Sequence, residues 1–190
     1  VVVGKAATPT PMLAGTLHYA ILNPYWNVPP DLVQTNVAVK VLAGRTLRDM
    51  NMEALSDWTE NARKLEQQTI DWKAVAAGTA ELRVRQLPEP YNSMGRIKFE
   101  FPNDMGIYLH DTPERELLAK DDRHFSNGCI RLEDANGLGR WLLGKPVRTG
   151  GAPEQVVQLP LPGSLDDNAA SAADFSVRSC SRCLSSVMSE

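Results

Sequence analysis

At 190 residues, with 43% hydrophobic and 23% charged side chains, the chain is long enough to bury one sizeable core and has the composition of a globular protein. Its formal net charge of −3 supplies no strong basic field, so no nucleic-acid partner is expected. No apolar run approaches the ~18 residues of a membrane span, and no signal peptide is visible.

The chain opens on "VVVGKAATPTPML". Val1 to Val3 read as the end of a strand, and no start methionine precedes them, which predicts a fragment that has lost an N-terminal part. "TPTPML" is a proline-punctuated loop. Leu17 to Leu22 is rich in β-formers and predicts a strand. "NPYWNVPP" is a rigid, non-helical connection. "DLVQTNVAVKVLAG" predicts a helix capped by Asp31 and closed by Gly44. From Arg45 to Gly78 the texture turns polar. Leu55, Trp58, Ala62 and Leu65 fall at roughly helical spacing, too sparsely to bury much surface alone. The segment therefore reads as an insertion leaning on a main domain, the setting from which lids are drawn.

Strand patterns return with "AELRVRQLP" and with "GRIKFEF", where Ile97, Phe99 and Phe101 alternate with Arg96, Lys98 and Glu100. "PNDMG" is a turn. "IYLH" and "CIRL" are short strands. "EDANGLGRWLLGKP" predicts a helix with Ala135, Leu138 and Leu142 on one face, stopped by Gly144 and Pro146. Beyond Pro162 the chain is rich in Ser, Ala and Asp, which predicts a disordered tail over 163–190. No internal repeat is apparent.

Three cysteines occur, Cys129, Cys180 and Cys183. "CSRC" offers two metal ligands, but a structural zinc needs about four and no second pair exists. No metal is expected, and the tail pair reads as incidental. Cys129 stands in "FSNGCIRL". It has two readings: a buried structural thiol, or a nucleophile served by a histidine base. Of the three histidines, His110 ends an apolar strand beside a Pro-broken loop. His124 lies in a polar turn, and His18 reads as a partly buried structural residue. Gly128 permits a sharp turn that aims nearby amides at one spot, as an oxyanion hole requires. Arg131, two residues past the cysteine in a strand, shares its face and could hold a carboxylate or favour the thiolate.

"IYLHDTPERELLAKDDRHFSNGCIRLEDA" resembles the signature of the L,D-transpeptidase (YkuD-type) catalytic domain, a strand histidine followed by Ser/Thr-X-Gly-Cys-apolar-Arg. "VVVGKAATPTPML", "NPYWNVPP", "NSMGRIKFEFPN" and "YLHDTP" resemble its larger YcbB-like branch. The resemblance implies a mainly β, α+β fold: a sandwich-like catalytic domain over 1–30 and 88–162, with a helical or loop capping insertion over 31–87. By position it makes Cys129 the nucleophile and His110 its base. Gly128, Asn127 and Ser126 would form the oxyanion loop, with amides of Gly128 and Cys129 as donors. Arg131, Asp111, Tyr108 and Trp26 would bind or orient substrate, and a carbonyl near Asp111 or Asn127 would fix the imidazole tautomer.

The implied reaction is acyl transfer between peptidoglycan stem peptides, giving 3→3 cross-links without cofactor, with carbapenems as inhibitors. The implied location is the periplasm or cell envelope of a Gram-negative bacterium. Asn127 departs from the His or Ser common at its place, and the chain leaves the family pattern after Pro162. Two other readings stay open: an L,D-carboxypeptidase that uses water as acceptor, and a peptidoglycan-binding module whose chemistry has lapsed. A thiol redox protein built on "CSRC" lacks the thioredoxin-like setting that such chemistry needs.

Overall fold

A computed structural model describes residues 1–151 and 153–160. The expected tail over 163–190, with Cys180 and Cys183, lies outside the described residues.

In chain order the strands are β1 (Val3–Gly4), β2 (Tyr19–Leu22), β3 (Trp26–Asn27), β4 (Met52–Leu55), β5 (Lys64–Leu65), β6 (Arg83–Gln86), β7 (Ile97–Glu100), β8 (Leu109–His110), β9 (His124–Ser126), β10 (Ile130–Arg131) and β11 (Gln155–Gln158). The α-helices are α1 (Pro30–Leu32), α2 (Val39–Leu42), α3 (Trp72–Ala76) and α4 (Ala135–Leu143). The protein is therefore a mixed α+β fold.

The main sheet has the order β10-β8-β7-β2-β11, antiparallel except for the parallel pair β8–β10. Alternation sorts its faces. Ala20, Leu22, Ile97 and Phe99 point inward and are buried; Leu109, Leu132 and the α4 residues Ala135, Leu138 and Leu142 pack with them. Phe99 and Ile97 are fully buried, and each contributes about 1.5–3 kcal/mol relative to an exposed side chain. Helix α4 forms where expected. Asp134 Oδ1 accepts the Gly137 amide at 2.7 Å, and Gly144 closes the helix at φ +63, a left-handed conformation that glycine adopts without Cβ strain. The parallel pair β1–β9 extends this sheet, because Val2 and Arg131 exchange backbone hydrogen bonds at 2.9 Å in both directions.

A second sheet, β3-β6-β4-β5, is wholly antiparallel. It has a core of its own, with Val33, Val37, Ala54, Trp72, Val75 and Val84 among its buried residues. This corrects the expectation that residues 45–78 cannot bury much surface. The helical spacing of Leu55, Trp58, Ala62 and Leu65 is not realised either. Leu55 and Leu65 belong to the antiparallel pair β4–β5, where Leu55 stands opposite Lys64 and Ala54 opposite Leu65. Tertiary pairing overrides a weak local period. The helix expected over Asp31–Gly44 begins one residue earlier, at Pro30, after Pro29. It passes through a π-helical segment, Val33–Ala38, into α2. Proline at the first helical position needs no amide partner, so Asp31 sits in the first turn rather than at the cap.

Two segments differ further from expectation. His124 opens strand β9 rather than lying in a polar turn. "QVVQ", which carried no strand expectation, pairs with β2 as β11.

The chain returns from the second sheet to the first through Leu87–Arg96, and fully buried Asn92 holds this crossing. Its Nδ2 donates to carbonyls of Pro24, Gln86 and Leu87 at 3.1, 3.3 and 2.8 Å, and its Oδ1 accepts the Met94 amide at 2.7 Å.

Candidate active site

The parallel register of β8 and β10 builds the site. Ile130 stands beside Leu109 and Arg131 beside His110. The Ile130 and Leu132 amides donate to the carbonyls of Tyr108 and His110 at 3.1 and 2.7 Å. Side chains alternate along each strand, so Leu109 and Leu132 enter the core while Tyr108, His110, Cys129 and Arg131 share the opposite face. Lys98 joins that face from β7, opposite His110, with its ammonium 4.2 Å from the Tyr108 ring centroid and paired with Glu100.

These side chains line a cavity of about 540 Å³. Tyr108, His110, Ser126, Asn127, Cys129 and Arg131 form its floor. Trp26, Pro29, Asp31, Leu32 and Thr35, from β3 and the start of the helical run, face them from the second sheet's unit. Thus Trp26, Tyr108, His110, Cys129, Arg131, Ser126 and Asn127, all expected from sequence, meet at one cavity.

His110 is buried. Its Nδ1 lies 2.5 Å from the Asp111 carbonyl oxygen. A carbonyl only accepts, so Nδ1 carries the proton and the neutral ring keeps Nε2 as its base. Burial, followed by the Arg131 and Lys98 charges, lowers the imidazole pKa to about 4, against the opposing pull of the Asp111 and Met94 carbonyls. Burial also raises the Cys129 thiol, against the Tyr108 hydrogen bonds and the Lys98 and Arg131 charges. Both shifts favour the neutral form of each group at rest. The thiol donates to the Gly106 carbonyl at 3.8 Å. Tyr108 is likewise raised, chiefly by burial and then by Cys129.

The loop before Cys129 is closed by its own polar groups. Buried Ser126 donates through Oγ to the Cys129 carbonyl at 2.6 Å and accepts the Gly128 amide at 3.1 Å. Thr10 Oγ1 donates to the Gly128 carbonyl at 2.8 Å and accepts the Gly4 amide at 2.9 Å. Gly128 has φ +120, where a side chain is strained. The expected oxyanion pair is thereby altered. The Gly128 amide is committed to Ser126, whereas the Cys129 amide has no hydrogen-bond partner among the described residues.

Asp111 also differs from its expected place. Its side chain does not line this cavity: Oδ1 accepts Arg115 at 2.5 Å and Oδ2 accepts the Arg96 amide at 2.9 Å. Its carbonyl is what reaches the imidazole.

Residues that carried no expectation complete the wall. Asn103 gathers the Phe101–Ile107 turn through bonds to the Phe101 and Ile107 carbonyls, at 3.0 and 2.8 Å, and from the Met105 and Ile107 amides, at 3.2 and 2.9 Å. This turn presents the Gly106 carbonyl to the thiol. Its sequence signal was the Asn in "PNDMG", read only as a turn residue.

No cluster of three or more His, Cys, Asp or Glu able to hold a metal occurs among the described residues. No helix among them is long and apolar enough to cross a membrane.

A thiol just ahead of β10 and a tautomer-fixed imidazole on β8 thus line one cavity beside a glycine-turned loop. The L,D-transpeptidase catalytic domain (YkuD) family model matches residues 1–149, and the chain belongs to that family. It is 32% identical over 143 residues to a Haemophilus influenzae protein named "Putative L,D-transpeptidase". That match covers 75% of this chain and 28% of the relative, so the chain spans less than a third of the relative's length.

Proposed function

We propose that the protein is a peptidoglycan L,D-transpeptidase that forms 3→3 cross-links by cysteine acyl transfer. The observation that carries this reading is the β8–β10 register, which sets His110 and Cys129 on one face at one cavity.

The steps follow from the site's chemistry. His110 Nε2 takes the thiol proton as Cys129 Sγ attacks the carbonyl at the L-centre of diaminopimelate in a tetrapeptide donor. The imidazolium is stabilised by the Nδ1–H bond to Asp111 O. The Cys129 amide is free to receive the developing oxyanion, a contact whose loss typically costs about 3 kcal/mol of barrier. The C–N bond breaks and D-Ala leaves with the proton from His110, giving a thioester. The side-chain amine of a second stem attacks the thioester and yields its proton to His110. The thiolate departs and is reprotonated from the imidazolium. Each half-reaction returns the pair to neutrality, which suits two groups whose burial disfavours charge.

Trp26 and the Pro29–Thr35 segment roof the cavity. In this reading the second sheet's unit caps the donor peptide, and Arg131 receives a substrate carboxylate. The stems lie in the periplasm, which is where the protein acts.

The test is acylation by a carbapenem, read as intact mass. Opening of the lactam by Cys129 gives a single adduct of the carbapenem's mass, which disappears in Cys129→Ala. A folded wild-type protein that stays unlabelled refutes the reading. Mass spectrometry of muropeptides formed from tetrapeptide stems then separates a cross-linked product from a hydrolysed one.

A further inference from the structure

Arg131 sits at the boundary of two cavities: the one that holds Cys129, and a second of about 360 Å³ lined by Tyr91, Ser93, Glu114 and Glu116. Its Nη1 is paired with the Glu114 carboxylate. Its Nε is buried and has no hydrogen-bond partner among the described residues. A buried donor left unpaired marks a place where an acceptor is expected.

The two partners differ in freedom. The Arg131 side chain is 20% exposed and that of Glu114 52%. The Glu114 backbone is held by its amide's bond to Thr112 Oγ1 at 3.1 Å. The following residue, Arg115, is clamped at 2.5 Å to both Asp111 Oδ1 and the Glu133 carbonyl. Glu114 can therefore leave Arg131 by rotating its side chain into solvent, without movement of the loop.

We propose that Glu114 is a specificity-determining residue. Its carboxylate is the resident occupant of an Arg131 carboxylate site, and an anionic acyl donor must displace it. The inference rests on the transpeptidase reading above. A donor carboxylate that accepts from Nε as well as an Nη satisfies the orphan donor and gains the two-point geometry of an Arg–carboxylate pair. Two carboxylates on one guanidinium repel each other, so Glu114 turns out. A neutral donor leaves Glu114 in place and gains nothing from Arg131.

The test compares alkylation of Cys129 by iodoacetate and by iodoacetamide, near-isosteres that differ in charge. In both, the sulfur–carbon bond forms as iodide leaves and the thiol proton passes to His110. Glu114→Gln should raise the iodoacetate rate about fivefold and leave the iodoacetamide rate within about twofold, as for a partly exposed ion pair. The difference should shrink in about 1 M salt. Glu116→Gln makes the same charge change beside the same cavity without touching Arg131, and should leave both rates within about twofold.

The proposal is overturned if Glu114→Gln changes neither rate or raises both alike. It is also overturned if Glu116→Gln matches Glu114→Gln, or if neither reagent labels Cys129 in any of the three proteins. Carbapenem labelling reports separately. A protein with the fivefold charge selectivity but no carbapenem adduct keeps the Glu114 site and loses the transpeptidase reading.

Discussion

Arg131 stands directly beside His110 across the parallel contact of β8 and β10. Two residues back from each, just ahead of the strands, Cys129 accompanies Tyr108 on the same face. A slip of β8 by one residue would turn His110 into the core and Leu109 into the cavity, and a slip of β10 would do the same to Arg131 and Ile130. The inward packing of Leu109 and Leu132 therefore holds His110 and Cys129 at the cavity, and core and cavity lining are set by one register.

The acid limb of acylation should report the burial of His110. The imidazole must be neutral to take the thiol proton, and its pKa is held at about 4. Carbapenem acylation should thus persist from neutral pH to about 5 and fall through about pH 4, whereas an unperturbed imidazole would give a limb near 6.5. A limb at 6–7, read by adduct mass against time, would show that the ring is not desolvated.

Folding stability should carry the same signature. The folded pKa of His110 lies below its unfolded value of ~6.5, so the unfolded chain binds more protons between the two values. Stability from this group is complete above about pH 6.5 and is lost as pH falls toward 4, by about 3 kcal/mol in all. Urea unfolding of wild type and His110→Gln at pH 7 and pH 4.5 should show a pH-dependent difference of this sign. Parallel pH profiles in the two proteins would remove the argument.

The Ser126 hydroxyl bridges the Cys129 carbonyl and the Gly128 amide. Ser126→Ala breaks both bonds and leaves buried groups unpaired, at about 1–3 kcal/mol of stability. We expect a slower acylation rate in a protein that still folds. Gly128→Ala forces a side chain into φ +120, with its Cβ 3.1 Å from Ile107 Cδ1, and should reduce the rate more strongly. Normal rates in both variants would detach the loop geometry from the chemistry.

Glu53 holds the second sheet together. Burial opposes its ionisation, but hydrogen bonds and charges of Lys64 and Arg85 outweigh this and keep its carboxyl below the usual range. Both partners lie at 2.6 Å. Glu53→Ala should destabilise the protein by about 2 kcal/mol, most of it from the half-buried Arg85, since Lys64 is largely exposed. A thermal unfolding loss below about 0.5 kcal/mol would assign the strand pairing to the apolar core alone.

Legibility followed the range of the interaction. The alternation in "GRIKFEF" announced β7 because one buried face is written every second residue. The shared face of Ala135, Leu138 and Leu142 and the Gly144 stop announced α4 because both act within a few turns, whereas the Asp134 cap emerged only in the structure. The β4–β5 pair was misread because Leu55, Trp58, Ala62 and Leu65 mimic a helical period, and only pairing with β6 across a long loop decides otherwise. Asn92 and Asn103 gave no functional signal. Their value lies in carbonyls and amides that fold brings to them.

The sequence by itself determined the chemical inventory of the site: a cysteine behind a glycine, a histidine at a strand end and an arginine two residues on. These are local choices, fixed by residue type and by the period of a strand. Tertiary structure alone decided that His110 and Cys129 share a face, that Nδ1 meets the Asp111 carbonyl, that Ser126 takes the Gly128 amide, and that Glu114 occupies Arg131. Each of these depends on strand register and loop closure, which arise from burial and hydrogen bonding between distant segments that no local pattern encodes.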